Sequence, residues 1–181
     1  MRALTTAFVL VAIAAACSDD CPRLTKHPTI DLEAVAVAPS LSFFLPVDAL
    51  AIPDRPGFFY VAEQIGVVHL VDFTNETSEP VLDLTDRVAS FQVNWELGLY
   101  AFTLHPNYPE DRRAYVSFTE ERPEARAASV VLELTLEPDG RWSRENERVV
   151  FFTEQPLQMH NGGTIRFLAD GRLGLALGDG G

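Results

Sequence analysis

The sequence predicts an all-β chain assembled from consecutive blades of a β-propeller, and three observations carry that expectation. From Leu41 onward the apolar residues come in short β-branched and aromatic runs bounded by Pro, Gly, Asn and Asp, the punctuation of strands and turns. No segment after the leader sustains apolar residues at helical spacing. The strand pattern also repeats. Leu50-Ala51-Ile52-Pro53 followed by Phe59-Tyr60-Val61 returns as Phe102-Thr103-Leu104-His105-Pro106 followed by Ala114-Tyr115-Val116, and more weakly as Ile165 to Gly171 followed by Leu173-Gly174-Leu175. The centres Tyr60, Tyr115 and Gly174 lie 55 and 59 residues apart, the length of a four-stranded blade. A run of hairpins in a β-sandwich is the competing architecture.

Along the chain, residues 1–16 read as a secretory signal: one positive charge at Arg2, then an apolar and small-residue run from Ala7 to Ala16, too short for a spanning helix of about 20 residues. The junction Ile13-Ala14-Ala15-Ala16-Cys17 resembles a bacterial lipoprotein cleavage site with Cys17 as the acylated residue, although leucine is commoner at the place of Ala14. Ordinary cleavage after Ala14-x-Ala16, with Cys17 and Cys21 free to pair, is the alternative. Residues 17–40 read as a tether, with a short helix over Leu32 to Val37 as its alternative. Strands are expected at Gly57 to Glu63 and Gly66 to Asp72, turning at Gln64-Ile65-Gly66. Further strands are expected at Gly98 to Leu104, Ala114 to Thr119, Ser129 to Leu136, Arg148 to Thr153, Thr164 to Phe167 and Arg172 to Leu177. Glu137-Pro138-Asp139-Gly140 is a hairpin turn between the third and fourth of these.

Residues 41–181 thus hold fewer than three blades, against about 4–8 in a closed ring. The expectation is a C-terminally truncated propeller, inactive as a fragment and exposed at its strand edges, or a short chain completed by oligomerisation. With 47% hydrophobic residues the 181-residue chain can bury a core, and its net charge of −12 repels phosphate backbones, so nucleic acid is not an expected partner. Two cysteines cannot complete a zinc site. Asn75-Glu76-Thr77 matches a glycosylation acceptor, set aside because the leader points to a bacterium.

The chain lacks His-Glu-x-x-His, Gly-x-Ser-x-Gly and a Gly-Lys-Ser/Thr phosphate loop. It does carry His160-Asn161-Gly162-Gly163 and Gly178-Asp179-Gly180-Gly181, one hairpin apart. A histidine followed by two glycines at the start of an inner strand is presented from a loop with little bulk beside it, as a general base for a hydroxyl proton would be. A turn histidine bonded to backbone is the other reading of the same pattern. Asp179 reads either as a calcium ligand or as a turn cap, since one carboxylate is far short of the 6–8 oxygens calcium takes. His69 and His105 read as structural, and the arginines at 112, 113, 122, 126, 141, 144 and 148 as solvated rims.

Glu96-Leu97-Gly98-Leu99-Tyr100-Ala101-Phe102-Thr103-Leu104-His105-Pro106-Asn107-Tyr108, Ala114-Tyr115-Val116-Ser117-Phe118-Thr119 and the two glycine-rich motifs resemble, in order and spacing, the glucose/sorbosone dehydrogenase family. Its members are six-bladed propellers similar to soluble quinoprotein aldose dehydrogenases and hedgehog-interacting-protein-like proteins. The resemblance covers Leu45 to Gly181. It implies that His160 takes the proton of a sugar C1 hydroxyl while hydride passes to pyrroloquinoline quinone (PQQ), with calcium as the metal. It puts Glu96 where the family's glucose dehydrogenases carry a substrate-contacting glutamine, and makes Asn161 a substrate-side residue. Met159 departs from the family's aspartate at that place. The quinone ligands mostly lie in later blades of the family fold. The implied partners are a sugar and an electron acceptor, the implied location the periplasm, outer membrane or cell surface, and the only membrane contact a lipid on Cys17. A surface-anchored propeller that binds carbohydrate or protein without redox chemistry is the alternative function.

Overall fold

The computed structural model describes residues 33–89, 96–123 and 126–181; the leader, Cys17 and Cys21 lie outside them. The unit Ala36–Gly181 is all strand and turn among the described residues. A first antiparallel sheet runs β1 (Pro46–Ala51), β2 (Phe58–Glu63), β3 (Val67–Asp72) and β4 (Thr77–Asp83) in sequence order. A second runs β5 (Leu99–Leu104), β6 (Arg113–Arg122), β7 (Arg126–Leu136) and β8 (Trp142–Gln155), and β9 (Gly162–Phe167) pairs with β10 (Leu173–Leu177) in a third. Two four-stranded meanders and the opening hairpin of another form part of a propeller.

The internal repeat becomes a repeated hydrogen bond. Ile52 N–H donates to the Phe58 carbonyl at 3.0 Å, His105 N–H to Arg113 at 2.9 Å and Leu168 N–H to Arg172 at 2.8 Å, so an equivalent bond closes the first hairpin of every sheet across turns of different length. Leu50 opposes Tyr60, Thr103 opposes Tyr115 and Arg166 opposes Gly174.

Period-two alternation distributes the core. In the second sheet Phe102, Val116 and Leu132 pack toward the first sheet, while their chain neighbours Ala101, Tyr115 and Val131 pack with Ile165 of the third. That is why these strands read as continuous apolar runs: both faces are covered. Tyr60, Phe102 and Trp142 form an aromatic triangle with ring centroids 5.2–5.8 Å apart. Each contributes about 1.5–3 kcal/mol by burial.

The structure differs from the sequence expectation in three strands, β1, β4 and β8, and refines the arginines; β1 pairs with β2 from Pro46 to Ala51, upstream of the first expected strand. β4 is absent from the expected strands, because Pro80 interrupts it. It survives as the outermost strand, with a register shift where Val68 faces Leu82 and His69 faces Pro80, an arrangement that needs no inward-donating N–H from proline. β8 begins at Trp142, earlier than Arg148, and carries a register shift as pairing passes from Glu133↔Arg148 to Thr135↔Ser143. The bulged residues 144–147 reach back to the first sheet's exit, where Arg144 meets Asp86 at 2.7 Å and Glu147 meets Arg87. Four of the rim arginines are therefore ion-paired: Arg113 with Asp111 and Glu133, Arg122 with Glu120, Arg144 with Asp86 and Arg148 with Glu133. His69 stands 3.5 Å from Glu63 and His105 3.3 Å from Asp111, in structural roles. Residues 33–36 are irregular, not helical.

Candidate functional site

The site forms where the second and third sheets meet, at the chain ends that enter β5, β9 and leave β10. Glu96 sits in the turn before β5, and that turn is held from both sides. Gln64 Nε2 donates to the Leu97 carbonyl at 2.7 Å, Gly98 N–H donates to Thr119 Oγ1 at 2.9 Å, and Tyr100 O–H donates to the Glu96 carbonyl at 2.6 Å. Leu97 is fully buried. Burial pushes the Tyr100 hydroxyl above its ordinary pKa, so it is a neutral donor at physiological pH.

His160 occupies the last turn before β9, with φ +54°. A left-handed conformation costs a non-glycine residue roughly 1–2 kcal/mol and persists only where neighbours hold it. Three groups do so. Glu96 Oε2 accepts the His160 N–H at 2.5 Å, Gly180 N–H donates to the His160 carbonyl at 3.2 Å, and Asp179 Oδ1 lies 3.2 Å from Nδ1. The imidazole itself is 57% exposed, so its edge faces solvent across an open depression of about 680 Å³ lined by His160, Gly162, Leu177, Gly178 and Asp179.

The glycines serve close backbone approach. A Cβ on Gly163 would stand 2.3 Å from the Tyr100 ring, and one on Gly178 would stand 1.8 Å from the His160 carbonyl oxygen. Ser117 Oγ also donates to the Gly163 carbonyl. Tyr100 and Ser117 of the second sheet therefore staple the His160-Gly163 segment in place. Both lie within the motifs that marked the chain, yet their roles depend on contact between sheets that no spacing shows.

Of the residues singled out in the sequence, the structure brings together Glu96, His160 and Asp179. Asp179 caps a turn, one of the two readings its sequence context allows, accepting Gly181 N–H at 3.1 Å. That bond first, and the His160 contact second, hold its carboxyl below the ordinary aspartate range. Asn161 is buried instead of lining the depression, and neither polar atom of its amide has a partner among the described residues; its carbonyl accepts Gly178 N–H at 3.1 Å. Met159 is 40% exposed and packs at Gly181, where a Cβ would meet its Cγ at 2.7 Å. Among the described residues no three of His, Cys, Asp and Glu converge as metal ligands.

Comparison with known proteins identifies the fold and the family. A structure described as a glucose dehydrogenase is 25% identical, with a TM-score of 0.62 over 76% of this chain and 39% of its own. A putative oxidoreductase (glucose dehydrogenase) from Thermus thermophilus is 27% identical, with a TM-score of 0.59 over 75% of this chain and 37% of its own. The soluble aldose sugar dehydrogenase of Escherichia coli in its apo-form shares the fold at 21% identity, with a TM-score of 0.57 over 76% and 38%. The chain thus spans about two fifths of the length of these structures. The model of the glucose/sorbosone dehydrogenase family matches residues 44–181, and the chain belongs to that family.

Proposed function

We propose that this chain carries the base of an exported sugar dehydrogenase, with His160 receiving the proton of a sugar C1 hydroxyl as the C1 hydride passes to a two-electron acceptor that the described residues do not themselves hold. The observation that carries the reading is a histidine whose backbone is held by Glu96 at the peptide N–H and by Gly180 at the carbonyl, while Asp179 meets Nδ1 and the rest of the imidazole is open to solvent. With Nδ1 carrying its proton toward Asp179, Nε2 is the acceptor left for substrate. Asp179 orients the ring and stabilises the imidazolium that proton transfer creates, the service that Met159 cannot provide by charge. Asn161 is buried and outside the lining of the depression, so it is assigned no sugar contact here.

Family members generally use PQQ, which supplies the hydride acceptor when bound. The described residues, about two fifths of the length of the matched structures, do not hold that group by themselves. The depression beside His160 is lined by no arginine or lysine to meet its carboxylates, and Asp179 is a single carboxylate where calcium needs several oxygens. The mechanism assigned to this chain therefore stops at the proton. Export, with Cys17 as a lipid anchor, belongs to the same proposal and is tested by palmitate labelling of wild type and Cys17→Ala.

The test of the activity is dye reduction with aldoses by protein of the relatives' full length, reconstituted with quinone and calcium. Aldose-dependent turnover that disappears in His160→Ala supports the reading. Absence of turnover in wild type, or equal turnover in the variant, overturns it and favours a binding propeller.

A further inference from the structure

We propose that Glu96 is a positioning residue for His160, acting through the peptide N–H and not through the sugar. The inference rests on the reading of His160 as the base. Glu96 and His160 lie 64 residues apart, yet Oε2 of the one accepts the N–H of the other at 2.5 Å. Glu96 is itself fixed from elsewhere, by Tyr100 O–H on its carbonyl and by the Gln64 and Thr119 bonds to the two residues that follow it. The acceptor is thus anchored on the second sheet while the donor begins the third.

The peptide N–H matters because of what shares its Cα. At φ +54° the N–H and the Cα–Cβ bond have a set relation, so an acceptor that holds the N–H also sets the direction in which the imidazole leaves the backbone. Asp179 then fixes rotation of the ring. The two carboxylates act on different parts of one residue, Glu96 aiming the stem and Asp179 orienting the head. A base displaced by a fraction of an ångström loses proton-transfer efficiency while leaving sugar affinity in place.

Two measurements on the full-length protein test this. In amide hydrogen exchange resolved to single residues, the His160 N–H should be protected in wild type. It should exchange about tenfold faster in Glu96→Ala. Glu96→Gln keeps an acceptor oxygen of the same reach and should retain protection, whereas Glu96→Asp keeps the charge, withdraws the acceptor by one methylene and should lose it. Glu96→Asp carries the test should Glu96→Ala fail to fold. In quinone-reconstituted enzyme, loss of the acceptor should lower kcat roughly tenfold with KM nearly constant, and Glu96→Gln should restore most of it. Unchanged His160 exchange in Glu96→Asp, or a raised KM at constant kcat, overturns the inference. Wild-type turnover in His160→Ala would instead remove the reading of His160 as base, while leaving the exchange result to stand or fall alone.

Discussion

Nδ1 of His160 and Oδ1 of Asp179 stand 3.2 Å apart, joined across the hairpin of β9 and β10. The β9–β10 register ends at Gly162 opposite Leu177, which sets the two flanking motifs side by side. Asp179→Asn keeps a side chain of the same shape and removes the charge that stabilises an imidazolium. We expect kcat to fall roughly 10–100-fold with little change in melting temperature. The Asp179 carboxyl should titrate below the ordinary aspartate range, because Gly181 N–H and then His160 favour its ionised form. Its interactions are therefore complete above that range and fade as pH falls through the lowered value, and NMR titration of the carboxyl carbon measures it.

Gly178 and Gly171 separate steric contact from backbone conformation. A Cβ at 178 meets the His160 carbonyl oxygen at 1.8 Å, whereas one at 171 meets nothing within 4 Å. Gly178→Ala should cost about 2–4 kcal/mol and displace the histidine. Gly171→Ala should cost only about 1 kcal/mol, from its φ of +81°, and leave activity intact. Chemical denaturation of the two variants compares them directly.

Asp48 ties three inner strands together: Oδ2 accepts Phe102 N–H at 3.1 Å and Oδ1 accepts from Arg166 at 2.7 Å. Phe102 is almost fully buried, so Asp48→Ala leaves a buried N–H without its acceptor and should cost about 1–3 kcal/mol. Arg166, 48% exposed, should cost at most about 1 kcal/mol when replaced by alanine. Equal losses in the two variants would place the value of this contact in the ion pair.

Glu133 gathers Tyr115 O–H, Arg113 and Arg148 on its carboxylate. Burial pushes its pKa up, but the Arg148 and Tyr115 hydrogen bonds and the two guanidinium charges outweigh it and hold the value below the ordinary glutamate range. A lowered carboxyl pKa contributes stability that is present above the unfolded value and is lost as pH falls through the folded one. Acid unfolding should therefore lose its Glu133 component in Glu133→Gln, seen as a flatter dependence of the denaturation midpoint on pH below the carboxylate range.

The strands of the second sheet are legible in the sequence because burial on both faces leaves long apolar runs, as in β6 and β7. β4 is hidden by Pro80, which an outer strand tolerates. The first half of β8 is hidden by the polar bulge at 144–147. His160 is legible from its two glycines. The partnership of Asp179 is not, since it depends on hairpin register, and the staples Tyr100 and Ser117 depend on how two sheets meet. Glu96 is singled out only through the family resemblance, as a sugar contact, while its hold on a peptide N–H is a relation only coordinates display.

The most direct measurement of the central claim is the rate of the reductive half-reaction, followed by stopped flow after mixing quinone-reconstituted full-length protein with glucose. His160→Ala should slow it by about 10²–10⁴ while the melting temperature and quinone content match wild type. A variant that reduces its quinone at the wild-type rate would contradict the assignment of His160 as the base.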